Sequence, residues 1–391
     1  MTAITDLDLK GKRVLVRVDF NVPINDNCHV GDDTRIRESL PTINYLREQG
    51  CAVILMSHLG RPKGSYNAKY SLAPVAKHLQ TLLGEDVLFS PDCIGREAEQ
   101  MSSELKAGQV MLLENLRFYP MEENNDKEFA HKLARLADIY VNDAFGTAHR
   151  AHASTVGVTE FLPSCAGFLM EKEIANLSRL TGKPEHPFVA IIGGAKVSDK
   201  YCVIENLLGK VDKLLIGGGM ANTFLAAMGD IMQESLVEPE KVELARKMLN
   251  MPLAKEKLVL PIDLVVADGF SNDAKVRVVP TYAIPEGWMA LDIGTETVEL
   301  FKKHLKDAKT IIWNGPLGVF EMEKFSLGTM EIAQAVADAD AFSVIGGGDS
   351  LAAIGLCNAK NKISHLSTGG GASLEFLSGK ILPGVAVLTD K

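Results

Sequence analysis

Four apolar runs in the first half of this 391-residue chain end in turns carrying side chains that can hold an anion. Asp19 and Asn21 lie in RVDFNVP (17–23), His58 and Arg61 in SHLGRPKG (57–64), Arg117 in LLENLRF (112–118), and His149 and Arg150 in NDAFGTAHR (142–150). Arg35 follows GDDT where a helix should begin; a cation there opposes the helix dipole and needs another partner. Each residue has a plainer use. Asp19 and Asn21 can cap the turn before Pro23, Arg35 can form a surface ion pair, and an arginine after a strand is commonly a solvated charge. Strand ends of one parallel sheet, however, project to one edge. Cations converging there repel one another unless an anion neutralises them, and a guanidinium binds carboxylate or phosphate through two parallel bonds. The pattern implies a small ligand with several negative charges. A histidine-based zinc site is the weaker alternative, since no HxxxH or Cys/His set has ligand spacing.

The second half ends its apolar runs differently, in GGAKVSDK (193–200), GGGMANTF (217–224), WNGPLGVFE (313–321), GGGDS (346–350) and STGGGAS (367–373). Bare backbone at strand ends, followed by helices, lets a phosphorylated ligand approach main-chain N–H groups. A single triple glycine can equally serve a tight turn; the repetition favours a ligand. GxxxxGK[ST] is absent, and neither GGGMAN nor GGGDSL continues as GxGxxG/A, which counts against a dinucleotide dehydrogenase. Asp349 can be an N-cap or, beside phosphates, a magnesium ligand. Lys196 and Lys200 would share a helix face if both are helical, with an anion between or beside them. Glu321 can accept from a ribose hydroxyl or act as an acid near a helix start.

Positioning these residues requires alternating strands and helices. Strands are expected at 13–19, 52–56, 110–113 and 139–142, then near 188–192, 213–216, 257–260, 263–267, 310–313 and 342–345. Helices are expected at 35–49, 72–83 and 126–137, then near 198–208, 220–228, 239–249, 297–306, 326–337 and 349–357. Such alternation implies parallel sheets with right-handed crossovers, and strands apolar throughout imply helices on both faces. The expected fold is α/β: two Rossmann-like parallel-sheet lobes, each a three-layer α/β/α stack, with a central cleft. A helix at 170–180 and the Gly/Pro-broken loop 181–187 would join them.

Composition narrows the functions. Net charge is −9, and the acidity is even: 18 Lys+Arg against 22 Asp+Glu through residue 170, then 23 against 28. Nucleic acid would demand a basic face. The six cysteines include no CxxC pair and read as free thiols of a reducing compartment. The N-terminus lacks the apolar stretch of a signal peptide, and no apolar run has membrane-spanning length. A cytoplasmic protein is expected, without membrane or nucleic-acid partners.

Taken in order, RVDFNVP, SHLGRPKG, LLENLRF, VNDAFGTAHRAHAS, GGAKVSDK, GGGMANTFL, WNGPLGVFE, GGGDS and STGGGASLEFL resemble the phosphoglycerate kinase family along nearly the whole chain. The resemblance implies reversible, magnesium-dependent phosphoryl transfer between 1,3-bisphosphoglycerate with ADP and 3-phosphoglycerate with ATP, by a monomer whose lobes close. It implies a phosphoglycerate domain at 1–170, a connecting helix and linker at 171–187, a nucleotide domain at 188–374, and a tail of about 375–391 packing back on the first domain. Asp19, Asn21, Arg35, His58, Arg61, Arg117 and Arg150 would bind phosphoglycerate. Gly194, Lys200, Gly218, Asn314, Glu321, Gly346, Gly347, Gly348, Asp349 and Ser350 would bind nucleotide, Asp349 also holding magnesium. Arg35, Lys196, Gly370 and Gly371 would stabilise the transferring phosphoryl group. GTET (294–297) and Ala226 depart from the family's usual residues without touching the chemistry. A two-lobed anion-binding protein without catalysis is the non-enzyme alternative, and it leaves the glycine turns unused.

Overall fold

The computed structural model describes residues 2–389. The first sheet takes strands β1 (Arg13–Arg17), β2 (Ala52–Met56), β3 (Val87–Ser90), β4 (Val110–Leu113), β5 (Ile139–Asn142) and β6 (Ser164–Ala166). They lie in the order β3-β4-β2-β1-β5-β6, every neighbouring pair parallel. Pleat alternation divides the side chains between two cores. Val14, Val16, Val53, Leu55 and Val141 enter one; Leu15, Ile54, Met56, Met111 and Tyr140 enter the other. Each such aliphatic side chain, fully buried, contributes about 1.5–3 kcal/mol. Because both faces are covered, the strands read as unbroken apolar runs.

The second parallel sheet takes β7 (Phe188–Ile192), β8 (Lys213–Ile216), β9 (Leu258–Val259), β13 (Thr310–Asn314), β14 (Phe342–Gly346) and β15 (His365–Ser367), ordered β15-β14-β13-β7-β8-β9. Between β9 and β13 the chain makes β10 (Asp263–Ala267), β11 (Val276–Pro280) and β12 (Met289–Ile293). These form a separate antiparallel sheet with β10 central. The sheets are therefore not all parallel, as the alternation had implied. The run 263–267 is apolar because this small sheet also packs against buried side chains. Strand 257–260 shrinks to two residues.

One compact unit comprises the described residues up to Ala175 together with those from Ile381 onward; Asn176–Lys380 form the other. The division falls inside the helix Phe168–Thr181. In the first unit the helix Pro383–Thr389 is tied beside β5, where Gly384 N donates to Ala148 O at 2.8 Å and Asn142 Nδ2 donates to Gly384 O at 3.3 Å. Residues 375–380, expected to begin the tail, belong to the second unit, and 390–391 lie outside the described residues. All six cysteines are free thiols. Among the described residues no helix is long and apolar enough to cross a membrane.

Candidate functional site

In the first unit the carboxyl ends of β1, β2, β4 and β5 carry the anticipated polar and charged residues. The Asp19 carboxylate, one residue beyond the Val18 that follows β1, accepts from Arg35 Nη1 at 2.9 Å, and Asn21 Oδ1 accepts from Gly60 N at 2.9 Å. Arg35 thus finds the partner that its place at a helix start demanded. Arg117 is buried, donates to Gly60 O at 2.9 Å and pairs with Glu123 at 3.3 Å. Arg150 donates to His149 Nε2 at 3.2 Å. Arg61 is exposed and pairs with no described residue.

Electrostatics shows how closely these groups gather. Burial holds His58 well below the usual histidine value, reinforced by Arg17, Arg117 and Arg35. Burial likewise lowers His152 to about 3, reinforced by Arg17, Arg117 and Arg150. Both rings are neutral at physiological pH. Burial also lowers Arg117, opposed by Glu123. The first unit therefore concentrates positive charge at one end of its sheet, where carboxylates meet Arg35 and Arg117 while Arg61 and Arg150 pair with no described carboxylate.

Four residues of this cluster were not foreseen: Arg17, Glu122, His152 and Ser154. Arg17 is fully buried at the end of β1. An arginine inside RVLVRV is itself a signal, since a charge rarely enters an apolar strand unless paired. His152 and Ser154 stand in HRAHAS. Glu122, fully buried, left no sequence trace among the neighbouring surface acids.

In the second unit a cavity of about 530 Å³ opens where β7, β8 and β13 end. Leu236, Leu264, Phe270, Leu291, Pro316 and Val319 give it apolar walls, Gly194 and Gly218 a backbone floor, and Glu321 and Asp349 stand among its four acidic members, with Glu234 and Asp292. The antiparallel sheet supplies one wall, so the element that the sequence misplaced serves the site. Gly218 has φ +69°, and a Cβ there would lie 2.7 Å from Gly194 N and O and 2.8 Å from Pro316 O. Gly348 differs: a Cβ there would meet nothing within 4 Å. It opens the helix Gly348–Leu356, with Gly347 at φ +94° before it.

Lys196 and Lys200 do not share a helix face, because the helix begins only at Tyr201. Lys200, half-buried, donates to Gly193 O at 2.7 Å and to Asn314 O at 3.1 Å. Burial lowers it to about 8, opposed by Asp349 and Asp199. Lys196 is exposed. Its loop is held by Glu238, which accepts from Ser198 Oγ at 2.6 Å and Ser198 N at 3.1 Å. Asn314 Nδ2 donates to Gly346 O at 2.9 Å, and Ser350 Oγ accepts from Gly315 N at 2.7 Å. Both side chains brace glycine turns. Glu321 is exposed at the cavity wall. Gly370, at φ +53°, precedes the helix that Gly371 opens.

A profile described as phosphoglycerate kinase matches residues 4–380. The chain belongs to the phosphoglycerate kinase family. The phosphoglycerate kinase of Moorella thermoacetica is 58% identical over 387 residues, covering 99% of this chain and 98% of that protein. The structure of phosphoglycerate kinase from Coxiella burnetii matches with TM-score 0.87 at 43% identity, over 99% of this chain and 98% of its own. That from Pyrococcus horikoshii OT3 matches with TM-score 0.89 at 36% identity, over 99% and 98%. Membership in the phosphoglycerate kinase family makes the chain a glycolytic kinase that transfers phosphate to a carboxyl group.

Proposed function

We propose that the first unit binds 3-phosphoglycerate or 1,3-bisphosphoglycerate through Asp19, Asn21, Arg35, His58, Arg61, Arg117 and Arg150, and that the second binds ATP or ADP. The observation carrying this reading is the concentration of Arg17, Arg35, Arg117 and Arg150 around two neutral histidines at the strand ends of the first sheet. In the second unit the apolar cavity suits a base and Glu321 a ribose hydroxyl. The glycine turns at 194, 218 and 346–348 suit phosphates, with Lys200, Asn314 and Ser350 shaping their approach. Arg35, Lys196, Gly370 and Gly371 stabilise the transferring group.

Asp349 fits magnesium. It is exposed on the cavity wall and paired with no described residue, and magnesium takes few protein oxygens, completing its shell with substrate phosphates and water. When bound, the ion would supply neutralising charge to the phosphates. The acceptor carboxylate is already ionised near pH 7, so the chain needs no general base. Its task is positioning and neutralisation of spread negative charge. In-line transfer needs reacting atoms about 3–3.5 Å apart, so closure of the two units on both ligands belongs to this proposal. So do a monomeric state and a cytoplasmic location.

A coupled assay with ATP and 3-phosphoglycerate tests it. Turnover should require magnesium, and Asp349→Asn should raise the magnesium concentration needed. Equal turnover with and without the metal would remove Asp349 from that role.

A further inference from the structure

Behind His58 runs a buried chain of hydrogen bonds whose direction is fixed at every step. Arg17 Nη2 lies 3.2 Å from His58 Nδ1, Arg17 Nε lies 2.8 Å from Ser154 Oγ, and Arg17 Nη1 donates to Val18 O. A guanidinium has only donors. His58 Nδ1 must therefore present a lone pair, and the proton of the neutral ring must sit on Nε2. The Ser154 hydroxyl likewise accepts from Arg17, so its own proton is free for another acceptor. Glu122 Oε1 is 2.5 Å away, and Glu122 Oε2 accepts from Ser154 N at 2.9 Å. Arg17, Glu122 and Ser154 are fully buried and His58 is 4% exposed.

Each member needs the next. A buried guanidinium is costly without a counter-charge, and Glu122 is the carboxylate that reaches it, through one hydroxyl. The hydroxyl spaces the two charges while holding both in register. His58 Nε2 bonds to no described residue, so the relay leaves one N–H donor unspent beside Arg35 and Arg117, whose charges act on this ring.

We infer that Glu122, Ser154 and Arg17 are positioning residues that hold His58 as the Nε2–H tautomer, so that it meets the anionic ligand as a neutral hydrogen-bond donor. The inference rests on the assignment of His58 to the phosphoglycerate site. It adds the reason a neutral ring serves there. An imidazolium would be repelled by the surrounding arginines, whereas the opposite tautomer would turn a lone pair toward the ligand's oxygens. Glu122, remote from the ligand, acts through two intermediates. A surface acid could not do so, because water would rearrange around it.

The first test needs no ligand. Long-range proton–nitrogen correlation on the histidine-labelled full-length protein reads which ring nitrogen of His58 carries the proton at about pH 7. The expected result is an unprotonated Nδ1 and a protonated Nε2; a protonated Nδ1 overturns the inference whatever His58 binds. The second test is steady-state kinetics. Ser154→Ala should raise KM for 3-phosphoglycerate roughly five- to tenfold, leave KM for ATP unchanged, and let His58 sample both tautomers. Glu122→Gln should shift the same parameters in the same direction. In a His58→Ala background the Ser154→Ala effect on KM should vanish, because the pathway runs through the ring. A Ser154→Ala effect that persists there, or falls equally on both substrates, makes the relay merely structural. If His58→Ala alone leaves KM for 3-phosphoglycerate unchanged, the site assignment fails, and the tautomer measurement still judges the relay.

Discussion

On the proposed assignment, the two units present opposite solutions to holding phosphate. The first gathers charged side chains at its strand ends and buries several of them: Arg17 is fully buried and Arg117 5% exposed. The second keeps its strand ends bare, with Gly194 and Gly218 at positive φ lining an apolar cavity and Gly347 at positive φ before the helix that carries Asp349. A side-chain site is specific because guanidinium forks demand complementary oxygens, and it carries electrostatic strain whenever the anion leaves. A backbone site carries little such strain, since its N–H groups are neutral, but it tolerates no added atom where chains cross closely. Substitutions should therefore fail for different reasons in the two units: loss of charge in the first, loss of room in the second.

The largest effect should come from removing that room. Gly218→Ala adds a methyl against the backbone of Gly194 and Pro316 at a φ of +69°, and should destabilise the second unit by about 3 kcal/mol or more. Gly348→Ala adds the same methyl to open space inside a helix, where alanine is the better residue. It should leave thermal unfolding unchanged or raised while weakening ATP binding. Paired melts and titrations of the two variants check this. Equal destabilisation would mean that Gly348 is held by sterics, not by a ligand's approach.

A second effect concerns a buried carboxylate of the first unit. Asp143 is fully buried after β5 and caps the helix Phe168–Thr181 by accepting from Leu169 N at 2.9 Å. Burial raises it to about 7, opposed by its hydrogen bonds from Thr42, Met170 and Leu169. A folded value above the unfolded one means that the group's stabilisation is full below pH 3.8 and lost as pH rises through about 7. Denaturant melts across that window should show the parent losing stability progressively relative to Asp143→Asn as pH rises. A difference that does not change with pH would mean that Asp143 is already ionised in the fold.

Smaller still is a proton count. Burial lowers Lys200 to about 8, so its stabilisation is present above the ordinary lysine value and lost as pH falls through about 8. Nucleotide phosphates should return it toward its usual value. ATP binding near that pH should then take up a fraction of a proton, seen by calorimetry in buffers of different ionisation enthalpy. Lys200→Met should abolish the uptake, and an unaltered uptake would place the titrating group elsewhere.

The same contrast explains what the sequence reveals. Strands covered on both faces, such as AVILM (52–56) and FVAII (188–192), read plainly because every side chain is apolar. Strand VLFS (87–90) escapes notice: it lies at a sheet edge with Leu88 exposed, so its pattern is mixed. Of the strands 276–280 and 289–293, which flank the small sheet, the first is almost wholly exposed and the second is buried only in its last three residues. Candidate site residues carried on short motifs, such as His58 in SHLGRP or Asp349 in GGGDS, stand out in the sequence because glycine or proline marks the turn. Glu122 is not, since its burial depends on Ser154, 32 residues away, folding over it. Lys196 and Lys200 mislead for a related reason. Four-residue spacing suggests a helix, but Glu238 instead holds the loop open through Ser198.

The central claim is that the two ligands are held on different units by different means, and calorimetric titration of Arg117→Ala with each ligand in turn tests it most directly. Arg117 is nearly enclosed, and its guanidinium spends a donor on Gly60 O within the first unit. Loss of a charge-assisted contact should weaken 3-phosphoglycerate binding by about 1.5–3 kcal/mol, while ATP binding stays within error of the parent. An equal loss for both ligands would contradict the account and require a single shared site.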